Sequence, residues 1–96
     1  MSSLPAGITD KALILHGRLR LLRGRRAQEA KHLRSSVEQL NGLLMACLRS
    51  LDGNQLSKPI DSATFRKHYA YMRKSERAIV AIDEEAADYQ QQLDQL

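Results

Sequence analysis

The sequence predicts an all-α fold, an antiparallel two-helix coiled-coil hairpin, on three observations. The first is a stripe, Leu19, Leu22, Ala30, Leu33, Val37, Leu40, Leu44, Cys47 and Leu51, stepping by threes and fours, with Arg26 bridging its one longer gap. The second is a later stripe, Phe65, Met72, Ile79, Ala86 and Leu93, at steps of seven, with Ile82, Tyr89 and Leu96 between. The third is a single break between them, Asp52-Gly53-Asn54-Gln55 followed by Pro59. Apolar residues at this period mark one face of a helix. Two such faces joined by a short connection fold back on each other.

Residues 1–8 contain Pro5 and Gly7 and read as a loose arm. Thr9 is the predicted N-cap of helix 1, with Ile8 and Leu13 at the spacing of a hydrophobic staple. Helix 1 is expected over 9–51. Gly17, Gly24 and Gly42 interrupt it, each costing about 1 kcal/mol against Ala, so its first half is expected to bend or fray. Gly53 suits the left-handed position just past a helix end, and Pro59 keeps Lys58 out of helical geometry. Residues 52–60 are the connection, and no strands are expected. Asp61 is the predicted N-cap of helix 2, over 61–96, with Ile60 and Phe65 repeating the staple. That stripe is still in heptad register at Leu96 with no C-cap signal after it, a pattern of a continuing helix and equally of a frayed end.

A chain of 96 residues is one domain. Two helices bury only the seam between them, so the core is thin, and Ile79 and Leu40 are expected to be largely buried in it. No apolar run approaches the roughly 20 residues needed to cross a bilayer. The first residues show no basic stretch followed by an apolar core, so no secretory signal is read there. Cys47, the single cysteine, lies on the stripe and reads as a small buried hydrophobe. Together these features point to a cytoplasmic protein without membrane insertion.

The net charge is +4, unevenly spread. Residues 11–34 hold eight bases against one acid, Glu29, whereas residues 83–96 hold five acids and no base. In an antiparallel hairpin whose paired positions sum to roughly 113, the basic stretch lies beside Ile79–Gln95, where the acids are. Three uses of the bases compete: an interhelical charge ladder fixing register, a protein contact, and a phosphate grip on RNA or DNA. Gln28 alone offers a base-reading side chain among the arginines, and the acidic tail screens them, so nucleic acid ranks last. Lys11, Arg18 and Arg25 share a face at steps of seven. Tyr71 falls off the second stripe between Lys67 and Lys74 and is a candidate contact residue; an incidental surface tyrosine is the plainer reading.

No catalytic constellation is present. His16, His32 and His68 are isolated from one another, and Glu29 three residues before His32 is too small a set for a metal. No phosphate-binding glycine loop follows a strand. The chain reads as no enzyme, with no cofactor. Glu84-Glu85 and Gln90-Gln91-Gln92 read as a solvated face.

Three segments carry a resemblance: Leu21-Leu22-Arg23 followed by Arg26-Ala27 and Ala30; the restart from Ile60 to Phe65 and Tyr69; and Glu76-Arg77-Ala78-Ile79 followed by Tyr89-Gln90-Gln91-Gln92-Leu93. Over nearly the whole chain this resembles the stalk proteins of type III secretion and flagellar export, FliJ-like and YscO-like. The three glycines of helix 1 depart from that family's pattern. The resemblance implies an antiparallel coiled-coil hairpin like the shaft of rotary ATPases. It implies a bacterial, ATPase-associated stalk in protein transport, seated in the pore of a hexameric export ATPase. Arg18, Arg20, Arg23, Arg25 and Arg26 would meet the ring. Tyr71 and Ala78 would reach toward the export gate protein, and export chaperones would be further partners. The expected function is a non-enzymatic stalk or adaptor coupling the ATPase ring to the gate. The alternatives are a small helical secretion chaperone for a coiled-coil substrate, and a basic hairpin binding RNA or DNA.

Overall fold

The computed structural model describes residues 6–96. Two long helices, α1 (Ala6–Arg49) and α2 (Ser62–Asp94), lie antiparallel. Between them, β1 (Leu51–Asp52) and β2 (Gln55–Leu56) form a minimal hairpin. The molecule is a rod of 76 × 21 × 16 Å, with a radius of gyration of 21.9 Å. A compact chain of this length would have about 13 Å.

Helix α1 begins three residues before the predicted cap, so Thr9 lies inside it and residues 6–8 are helix, not arm; the rest of the arm lies outside the described residues. The helix runs unbroken through Gly17, Gly24 and Gly42. A Cβ added at any of the three would meet open space. They sit on the outward face, so their missing side chains take nothing from the seam. The helix ends at Arg49, two residues earlier than expected, and Ser50 ties off the end. The Ser50 amide donates to the carbonyls of Ala46 and Cys47, both at 3.1 Å. Its hydroxyl donates to Cys47 O at 2.7 Å and also approaches Lys58 O at 3.3 Å. Its carbonyl accepts from the Ser57 amide at 3.3 Å and the Ser57 hydroxyl at 3.2 Å.

The connection holds strands where none was expected. Leu51 pairs with Leu56 and Asp52 with Gln55, leaving Gly53-Asn54 as a two-residue turn. Gly53 has φ +60, and no non-glycine residue among those described has positive φ. A positive φ at the first turn position alone is the signature of a type II′ hairpin, which asks for glycine there. The left-handed glycine therefore serves the strand turn and not the helix end. Asp61 caps α2 as predicted: its carboxylate accepts from the Ala63 amide at 3.0 Å and the Thr64 hydroxyl at 2.8 Å.

The seam is a regular three-four stripe on each helix. On α1 it runs Leu15, Leu19, Leu22, Arg26, Glu29, Leu33, Ser36, Leu40, Leu43 and Cys47, with Ser50 next just past the helix end; on α2 it runs Phe65, His68, Met72, Ser75, Ile79, Ile82, Ala86, Tyr89 and Leu93. Leu15, Leu22, Leu40 and Ile82 form the buried apolar core, joined by the buried hydroxyl residues Ser36 and Ser75. No buried side-chain nitrogen or oxygen among the described residues lacks a hydrogen-bond partner. Four expectations are corrected here. Ala30, Val37, Leu44 and Leu51 lie one residue past the seam, and Val37, Leu44 and Leu51 remain 46%, 43% and 60% exposed. Ile79 is half-buried, because a two-helix seam leaves its margins wet. Cys47 is half-buried too. The register also shifts: Arg26 meets Asp83 and Arg18 meets Tyr89, pairs whose numbers add to 109 and 107. The early end of α1 and the hairpin in the connection account for the change.

Candidate interaction surface

The five arginines proposed as one site lie at the open end of the rod but not on one face. Arg18 and Arg25 lie on one edge of the seam and Arg23 on the opposite edge. Arg20 points from the back of α1, and Arg26 occupies a seam position. Arg26 donates from Nε to Asp83 Oδ1 at 2.7 Å and from its terminal nitrogen to Oδ2 at 3.4 Å. This fork draws the Asp83 carboxyl below its usual pKa, through the hydrogen bond first, and raises that of the guanidinium. It is the one ion pair between the helices among the described residues. Arg18 lies over the Tyr89 ring, 5.5 Å from its centroid. Arg20, Arg23 and Arg25 are exposed and make no ion pair within the described residues. So the charge ladder amounts to a single rung, and three guanidiniums form a collar round α1. Leu13, Ile14 and Leu21 are exposed on the same shoulder, Leu21 by 71%.

Tyr71 and Ala78 lie seven residues apart on one edge of α2. Tyr71 is exposed, its ring edge-on to His68 at 6.4 Å. It borders a shallow notch with Glu29, His32, Lys74 and the two buried serines. Ala78 is half-buried. From Tyr71 to Tyr89, which marks the level of Arg18, is about 27 Å along the helix. The two predicted groups are therefore separate places on the rod. His32 Nδ1 lies 3.8 Å from Glu29, and no third metal-ligating side chain joins them among the described residues.

Folding redistributes the charge in a way the linear sequence conceals. The half nearest the open end, residues 10–29 with 81–96, carries six bases against seven acids, a net −1. The half nearest the tip, residues 30–80, carries nine bases against four acids, a net +5. The early arginines stood out in the sequence because five of them crowd into nine residues, 18–26. The tip half did not, because its bases, Lys31 to Arg77, are spread over both helices. The same half carries a second stripe on α1, turned just off the seam: Ala30, Arg34, Val37, Asn41, Leu44 and Leu48, again at steps of four and three, with Leu51 in β1 next in the series.

No helix among the described residues is long and apolar enough to cross a membrane. No family model matches the chain, and neither the curated proteins nor the solved structures compared with it give a match.

Proposed function

We propose that the chain is a non-enzymatic stalk or adaptor of a type III protein export apparatus, inserted by its open end into the export ATPase ring and coupling that ring to the gate. The observation that carries this reading is the collar. Arg20, Arg23 and Arg25 project from three sides of a rod 21 × 16 Å in section, with exposed Leu21 among them and exposed Leu13 and Ile14 about two turns nearer the open end. A ring surrounds what it binds, so contacts on several sides suit a pore. A duplex or a strand lies against one side and wants its cations aligned. Apolar residues among the arginines also favour a protein surface over phosphate. The tip half, with Tyr71 and Ala78, would then extend toward the gate.

Arg20→Glu with Arg25→Glu tests the reading. Neither residue makes an ion pair or side-chain hydrogen bond among the described residues, so the circular dichroism spectrum of the double variant is expected to match the parent. Stimulation of the cognate ATPase is expected to fall to background, and export in cells with it. A double variant that still stimulates the ATPase and exports normally refutes the stalk. A steep loss of oligonucleotide binding in its place would favour the nucleic-acid reading.

A further inference from the structure

We infer that the tip half of the rod is a docking groove for a third helix, and that its occupant is an acidic amphipathic helix of a partner protein. The second stripe of α1 spans Ala30 to Leu48, about 27 Å of helix at 1.5 Å per residue, and Leu51 in β1 continues it. A helix with one such stripe buries it against one neighbour; a helix with two adjacent stripes has room for two. Here α2 occupies only the first. Val37 and Ala30 line a shallow groove with Leu33 and Ile79, so the floor of the second site is continuous with the core. Tyr69, 47% exposed and stacked on Phe65 at 6.4 Å, extends the floor across α2.

Charge selects the occupant. The groove is flanked by Lys31, Arg34 and Arg49 on α1 and by Arg66 and Arg73 on α2, against Glu38 and Glu76. Arg73 already holds Glu76 at 3.0 Å, which leaves one acid among the flanks facing four bases. A second copy seated tip to tip would set +5 against +5. An acidic helix would place its apolar face on Val37 and Leu44 and its carboxylates beside the guanidiniums, the arrangement by which charged flanks choose a coiled-coil partner. Asn41, in mid-stripe, gives that helix a polar point of register.

The proposal stands apart from the export reading, because its test needs neither ATPase nor gate. A fluorescein-labelled peptide of three heptads, with Leu and Ala on one face and Glu on the flanks, is titrated with the purified chain and followed by anisotropy. Saturable binding is expected, weakened about tenfold or more by Val37→Gln with Leu44→Gln. Both residues are exposed enough for the hairpin to survive, which circular dichroism checks. Leu21→Gln, at the other end of the rod, is expected to leave binding unchanged. The same peptide with Lys on its flanks is expected to bind at least about tenfold more weakly. Equal binding of the Glu and Lys peptides, no binding of either, or indifference to the double substitution overturns the proposal. So does sedimentation showing a dimer of the chain that the double substitution dissolves, which would give the groove to a second copy. Binding confined to anionic vesicles or to a short oligonucleotide overturns it as well.

Discussion

Ile82 and Leu44 are both aliphatic residues that step regularly along their helices, yet one is 4% exposed and the other 43%. Burial separates their energetics. Ile82→Ala removes methyl groups from the tightest part of the seam and leaves a cavity, so a loss of about 2–4 kcal/mol is expected from urea denaturation. Leu44→Ala, beside open groove, is expected to cost less than about 1 kcal/mol. Leu22, Leu40 and Ile82 were legible in the sequence as core because they are apolar and fall on the stripe. Glu29, Ser36 and Ser50 were not, since apolarity was the marker used to trace the stripe. Ala30, Val37 and Leu51 outscored the polar residues one position earlier, although those face α2. Where a helix carries two adjacent stripes, hydrophobicity alone picks the greasier one, and only the partner helix reveals which is the seam.

The two helices differ in how visibly their ends were written. Asp61 announced the start of α2, because a short acceptor before a helical run has few other uses. Ser50 closed α1 through backbone and hydroxyl contacts that no pattern encodes, and Gly53-Asn54 looked like a helix stop when it is a strand turn. The Asp61 carboxyl is held below the usual carboxylate range, chiefly by the Thr64 hydroxyl and then by the Ala63 and Thr64 amides. Asp83 is held low by Arg26. An aspartate in the unfolded chain titrates near 3.9. Both groups therefore bind fewer protons folded than unfolded around that value, and their contribution is complete above it and drains away as pH falls through their folded values. Thermal unfolding of the parent and of Asp61→Asn with Asp83→Asn is expected to show a gap in midpoint at about pH 7 that closes toward pH 3.

At the scale of the whole rod, the charge map was only half visible in advance. The early arginines and late acids were expected to meet, and Arg26 and Asp83 do. Their meeting leaves the open end nearly neutral and moves the excess of positive charge to the tip, which a count along the chain could not show. The rod also has a direction in sequence separation. At the tip, Ser50 and Ser57 are joined across 7 residues; farther along, Arg26 and Asp83 are joined across 57. Closing a short loop costs less chain entropy than closing a long one. The hairpin is therefore a zipper whose first tooth is the Ser50–Ser57 contact. Amide hydrogen exchange is expected to be slowest in seam residues near Leu40 and Met72 and to quicken progressively toward Leu15 and Leu93. Uniform protection along both helices would contradict this. An end that opens first and closes last keeps its inner faces wet for longest, so the order in which the rod closes sets how long each end stays open to solvent.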